Sequence, residues 1–179
     1  STTALSVAKA LRTTFPDTPL VGTDIYPARE LPSHTYIDTI ETIAAYNDPD
    51  YINQLVDVCR RHSITHVIPI LDQEVEELAK NRIALEEVDV TVCTGSYESI
   101  KLCNDKYDTI QALQKADIPV APAYLPGDAL PEYSGYFIKP RRGVSSADCY
   151  RVTKKSDIAH FASRVPDPII QAELTGAFH

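Results

Sequence analysis

The chain has 179 residues, 44% of them hydrophobic and 23% charged, with a formal net charge of −8. That composition suits a soluble globular protein built as one compact domain or two small ones. The acidic balance excludes general nucleic-acid binding, which needs a basic face against the phosphates, but leaves room for a local basic pocket around a small anion. No apolar run approaches the ~20 residues that span a bilayer. No signal-peptide pattern is present either, so the expected location is cytoplasmic, with no membrane partner. The four cysteines, Cys59, Cys93, Cys103 and Cys149, form no C-x-x-C pair. They read as reduced, mostly buried thiols and not as a disulfide frame or zinc site. The chain contains no methionine and opens inside a helical pattern, so a fragment, or a chain with its ends missing, is expected.

From the N-terminus, residues 1–15 place Leu5, Ala8, Leu11 and Phe15 on one helical face, with Ser1 to Thr3 as capping residues. "LVGTDIYP" reads as a short buried strand and "HTYIDTI" as a second. Tyr51 to His62 is a helix with Ile52, Leu55, Val56 and Cys59 at i, i+3, i+4 and i+7, entered through "NDPD". "THVIPIL" is a strand. "DQEVEELAKNR" then opens a helix whose first-turn acids suit the helix dipole. "VDVTVCTG" is another strand. Strands alternating with helices at this spacing predict βαβ units and a parallel sheet, with a first strand expected upstream. A longer helix is predicted from about 96 to 116, with Ile100, Cys103, Tyr107 and Ile110 on one face. The proline-rich stretch 117–135 is the best linker candidate. Beyond it the order is strand "YFIKP", a loop, strand "DCYRV", turn "TKKS", helix "DIAHFASRV", turn "PDP" and strand "IIQAEL", an α+β unit with a hairpin.

Three blocks in this order carry the chemistry. They are "CNDKYDTIQALQKADIPVAPAY", "YFIKPRRGVSSADCYRV" and "DPIIQAELTG". The middle block puts Lys139, Arg141, Arg142, Gly143, Ser145 and Ser146 directly after a strand. In an acidic chain such a loop is either a grip for an anion or a solvated hairpin tip. The ordered blocks resemble the ATP-grasp superfamily, in the branch of carbamoyl-phosphate synthase large chains and biotin carboxylase. The resemblance covers nearly the whole chain. It implies a pre-ATP-grasp, Rossmann-like parallel-sheet domain over 1–97. The start of the ATP-grasp domain, an α+β small subdomain, would follow over 98–179, with a nucleotide lid at about 122–174. The C-terminal part of the fold would be absent.

By matching position, the resemblance makes Lys106 and Lys139 the phosphate-contacting cations, since an ammonium is a compact point charge suited to oxygens that shift during transfer. The loop with Gly143, Ser145 and Ser146 would close over the triphosphate with N–H groups and hydroxyls. Gln171, Ala172, Glu173 and Leu174 would form the adenine hinge, whose backbone offers one donor and one acceptor. The implied cofactors are ATP and Mg²⁺. The implied partners are a small-molecule carboxylate and an amine or similar nucleophile, with a homodimer left open.

The chain departs from the pattern in three respects. The loop has one glycine, Ala172 stands where Glu is frequent, and the metal-binding carboxylates are expected beyond His179. No metal ligand is therefore expected within these residues, and residues 1–179 alone are expected not to turn over ATP. The implied reaction is ATP-dependent carboxylate–amine ligation through an acyl phosphate. The alternative is a non-catalytic nucleotide-binding or regulatory module. A dinucleotide binder is disfavoured because no G-x-G-x-x-G follows any visible strand. Asp72 and Glu74 could face a cleft at a strand's carboxyl end or simply serve their helix. The histidines show neither ligand spacing nor a nucleophile partner.

Overall fold

The computed structural model describes residues 2–143 and 146–174. The chain divides into two compact units, Ser1–Ile100 and Lys101–His179.

The first unit opens on helix α1, Thr2–Thr14. Its Arg12 donates to the carbonyls of Pro16 at 2.9 Å and Thr18 at 3.1 Å, and pairs with Asp38 at 2.7 Å. Strand β1, Val21–Asp24, pairs in parallel with β2, Thr39–Thr42. Two 3-10 turns, Ala28–Glu30 and Pro32–Thr35, lie between them. Helix α2, Tyr51–Arg61, buries Tyr51, Leu55, Val56, Val58 and Cys59. Strand β3, His66–Val67, pairs in parallel with β4, Thr91–Val92. Between them run α3, Asp72–Lys80, and α4, Arg82–Glu86. One apolar core joins the α2 residues to Leu78, Leu85, Val90 and Val92, with Val21 and Val67 against it. The predicted parallel βαβ pattern is therefore present.

Helices α2 and α4 stop in the same way. Ser63 and Asp89 take the left-handed conformation, at φ 53° and 60°. The next N–H then turns back to the helix: Ile64 donates to Cys59 at 2.9 Å and Val90 to Leu85 at 3.0 Å. This return bond satisfies a terminal carbonyl and points the following apolar residue into the core. A glycine is the usual occupant of that position, which Ser63 and Asp89 fill here.

Helix α5, Tyr97–Asn104, leads in sequence to the second unit, which continues with α6, Lys106–Lys115. The single helix expected over 96–116 is thus two. Asp105 between them is extended, at φ −104° and ψ 108°, and its side chain accepts from the N–H groups of Tyr107 and Asp108. An N-cap residue must leave helical geometry to do this, so it starts a new helix and ends the old one. The face predicted to run from Ile100 to Ile110 does not exist as one face.

The rest of the second unit is an antiparallel sheet in the order β5–β8–β6–β7. Its strands are β5, Ala123–Tyr124, β6, Tyr136–Pro140, β7, Tyr150–Val152, and β8, Pro168–Ala172. Helix α7, Ile158–Ala162, precedes β8. Strand alternation assigns the two sheet faces. Tyr136, Ile138, Val152 and Ile170 pack with Ile158, Ala162 and Val165 on one face. Ala123 and Ile169 pack with Ile110 on the other. Phe137 and Lys139 point to this second face, opposite Gln171 and Ile169 across the strand pair.

The proline-rich stretch 117–135, read as the linker candidate, lies inside this unit and supplies the edge strand β5. It is held by side chains: the Tyr124 and Tyr133 hydroxyls meet at 2.8 Å, and Tyr136 donates to the Pro131 carbonyl at 2.8 Å. The expectation of mostly buried cysteines is also corrected. Cys59 is buried, whereas Cys93, Cys103 and Cys149 are exposed. Apolar patterning places a residue near a core face but does not say whether that face is covered.

Candidate functional site

A cavity of about 350 Å³ opens in the second unit, lined by Lys106, Lys139 and Gln171 together with Cys103, Thr109, Ile110, Val120 and Ala121. Three residues singled out from separate sequence blocks thus share one wall. Each is set there by a different element. Lys106 is the first residue of α6, Lys139 the fourth of β6, and Gln171 the fourth of β8. The Gln171 amide donates to the Ala121 carbonyl at 3.1 Å, fixing its side chain against the cavity wall.

Lys139 is half-buried, and no carboxylate among the described residues pairs with it. Burial chiefly, and then the Lys106 charge, hold its ammonium below the usual lysine range, against a smaller opposing pull from Cys149. An ammonium withdrawn from water without a counter-ion is unfavourable. A second ammonium nearby adds to that. An anion placed in the cavity would relieve both.

The Lys106 ammonium donates to the Gly143 carbonyl at 3.1 Å and the Arg141 carbonyl at 3.4 Å, and its backbone N–H donates to Arg141 at 3.0 Å. Lys106 therefore holds the start of the post-strand loop, with N–H capacity left for a ligand. Arg141 faces the other way. Its guanidinium meets Asp105 at 2.8 Å and Asp108 at 3.0 Å, and lies 5.2 Å from the centre of the Tyr107 ring. Its backbone N–H donates to Asp167 at 3.0 Å. Arg142 comes within 4.0 Å of Asp105. Both arginines thus turn toward carboxylates.

Ser145 falls outside the described residues. Ser146 is in the left-handed conformation at φ 55°. At the expected hinge, Ala172 is buried on the α7 side of the sheet, opposite Tyr136. Glu173 forms a two-pronged pair with Arg151, at 2.6 and 3.1 Å, and its N–H donates to the Gly135 carbonyl at 2.8 Å. Leu174 is 72% exposed. The structure therefore gathers Lys106, Lys139, Gly143 and Gln171, directs the Ala172 side chain to the far face and ties Glu173 to β7.

Sequence reasoning missed Asp105 and Arg141 as the residues that organise this wall. Asp105 had a detectable signal, an acid directly before the apolar-periodic run "KYDTI". Arg141 had none, because its partners Asp105 and Asp108 lie 36 and 33 residues away.

In the first unit, Glu74 reaches back to the Leu71 N–H at 3.5 Å, the ordinary service of a first-turn acid. Burial chiefly raises its pKa, with Asp24 adding to the effect and the Leu71 and Ile70 N–H groups opposing it. Asp72 is exposed. Among the described residues no three His, Cys, Asp or Glu side chains converge as a metal site. No described helix is long and apolar enough to cross a membrane.

Residues 6–93 match the family described as PylC-like, N-terminal domain. A search of curated proteins found none that matches. Solved structures match over almost the whole chain. N5-carboxyaminoimidazole synthetase from Staphylococcus aureus, complexed with ADP, is 15% identical at a TM-score of 0.69, over 97% of this chain and 45% of that one. The Thermotoga maritima N5-carboxyaminoimidazole ribonucleotide synthetase is 18% identical at 0.65, over 94% and 43%. The biotin carboxylase domain of Hydrogenobacter thermophilus 2-oxoglutarate carboxylase, in complex with MgADP, ADP and bicarbonate, is 16% identical at 0.64, over 96% and 42%. At these identities the likeness is one of fold, and the chain spans less than half the length of each of these proteins. Residues 6–93 thus resemble a PylC-like N-terminal domain, and the chain as a whole shares the fold of the N-terminal part of these enzymes.

Proposed function

We propose that the cavity of the second unit receives the phosphates of ATP, and that the chain forms part of an ATP-dependent ligase. In this reading residues 1–97 are the pre-ATP-grasp domain and residues 98–179 begin the ATP-grasp domain, with the nucleotide lid at about 122–174. A small carboxylate would attack the γ-phosphorus and release ADP. The resulting acyl phosphate would be attacked at its carbonyl carbon by an amine or similar nucleophile, releasing phosphate, as in carbamoyl-phosphate synthesis. The observation that carries the reading is the half-buried Lys139, without a carboxylate partner among the described residues, in one cavity with Lys106.

Phosphoryl transfer asks a protein mainly to position oxygens and neutralise charge, which two convergent ammonium groups do. The Gln171 side chain on the same wall and the open sheet face around Phe137 suit a base lying beyond the phosphates. Magnesium, when bound to the triphosphate, would neutralise further charge. No described residue is assigned as its ligand.

Calorimetric titration of the intact protein with ATP, with and without Lys106→Ala, tests the reading. Loss of one charge-assisted phosphate contact should weaken binding roughly tenfold to a hundredfold. Unchanged affinity would remove this cavity from the nucleotide site.

A further inference from the structure

Arg141 follows the strand that carries Lys139, yet it serves the helix that carries Lys106. We infer that Arg141 is a positioning residue of the phosphate site, clamping Asp105 so that the Lys106 ammonium stays directed into the cavity and unclaimed by a neighbouring anion. This deepens the nucleotide reading above and rests on it.

The Asp105 carboxylate is nearly buried, at 6% exposure. One of its oxygens accepts from the Tyr107 N–H at 3.0 Å, the Asp108 N–H at 3.1 Å and the Arg141 Nε at 3.1 Å. The other lies 2.8 Å from the Arg141 Nη2. Its charge is thus answered within the wall. The same Nη2 reaches Asp108 at 3.0 Å, and the guanidinium covers the Tyr107 ring at 5.2 Å. A planar, forked donor can serve two carboxylates and an aromatic face at once, whereas a lysine ammonium cannot.

The clamp also fixes the loop. The Arg141 carbonyl accepts both the backbone N–H and the ammonium of Lys106, at 3.0 and 3.4 Å. Turning Arg141 away would therefore shift that carbonyl and release a buried anion one residue from Lys106. The cations left beside that anion are Arg142, whose Nε lies 4.0 Å from Asp105, and the adjacent Lys106, which the phosphates need. Arg141 is not itself a phosphate ligand, because its guanidinium is directed at Asp105, Asp108 and Tyr107.

Titrating the intact protein with ADP and with adenosine separates positioning from collapse, since adenosine carries no phosphate. Arg141→Gln should weaken ADP binding roughly tenfold, the size of one charge-assisted contact, with adenosine binding unchanged within about twofold. Arg141→Lys should recover only part of the loss. Adding Asp105→Asn to Arg141→Gln should restore most of it, because a neutral Asn still caps the helix and leaves no stray anion. That double variant also avoids a lone buried charge, so it keeps the test readable should the single variant not fold.

ADP affinity unchanged in Arg141→Gln, an equal loss for adenosine, or no recovery in the double variant would each overturn the inference. Lys139→Ala is the control. If it leaves ADP binding intact, the nucleotide reading fails. If it weakens ADP binding while the Arg141 variants do not, only the positioning role fails.

Discussion

Replacing Lys139 by methionine should move stability and affinity in opposite directions. The four-atom apolar stem of the side chain keeps its packing in the substitution while the charge is removed. In the folded protein that charge is half-buried and faces Lys106 without a carboxylate among the described residues. Exchanging buried ionic groups for apolar ones of similar volume is neutral or stabilising by about 1–4 kcal/mol. Lys139 keeps half its contact with water, and screening there places the gain at the low end, about 1 kcal/mol. For a chain of this size that raises the melting temperature by about 2–4 °C.

The pH dependence has a definite sign. The folded-state pKa of Lys139 lies below its ordinary 10.5, so the unfolded chain holds this proton more tightly. The stability deficit is complete at neutral pH and fades as pH rises through the folded value toward 10.5. Parent and Lys139→Met should therefore converge in alkaline buffer. ADP binding should fall roughly tenfold to a hundredfold, by about 1.5–3 kcal/mol for one charge-assisted contact. Differential scanning calorimetry and titration calorimetry on the same two proteins read both effects. A variant that melts at or below the parent and binds ADP equally well would refute the argument at both ends.

Further outcomes follow from other residues. Glu41 meets His62 at 2.8 Å and Arg61 at 3.0 Å, and the His62 bond chiefly lowers its pKa below 4.5. Its contribution is complete above the unfolded pKa and is lost as pH falls through the folded one, so Glu41→Gln should flatten the acid limb of urea midpoints measured against pH. Tyr136→Phe removes a buried hydroxyl that donates to the Pro131 carbonyl at 2.8 Å and accepts from the Tyr133 N–H at 3.3 Å. It should cost about 1–3 kcal/mol in chemical denaturation. Ser63→Gly relieves a left-handed non-glycine residue at φ 53° and should add about 0.5–1 kcal/mol by the same measurement. Cys93, Cys103 and Cys149 should react with a thiol reagent in the native protein and Cys59 only after unfolding. ADP should slow labelling at Cys103, which lines the cavity.

Local order was legible in the residues themselves. The helical spacing of Ile52, Leu55, Val56 and Cys59 states which side of the helix seeks a core, since that depends only on backbone period, and the apolar run in "YFIKP" marks a strand. The ordered blocks around Lys106, Lys139 and Gln171 likewise pointed to three of the residues that line one cavity. What the sequence could not express was pairing across distance. Asp105 breaks a helix that periodicity alone would continue, and it does so while bonded to Arg141, 36 residues further on. Arg141 stands in a run of cations next to Lys139, yet tertiary contacts with Asp105, Asp108 and Asp167 turn it into the wall, leaving Lys139 toward the cavity. The exposure of Cys93, Cys103 and Cys149 was decided the same way, by which faces other elements cover. A charge or a thiol carries its chemistry in its own residue, but its partner, and hence its role, is set by the chain segments that folding places against it.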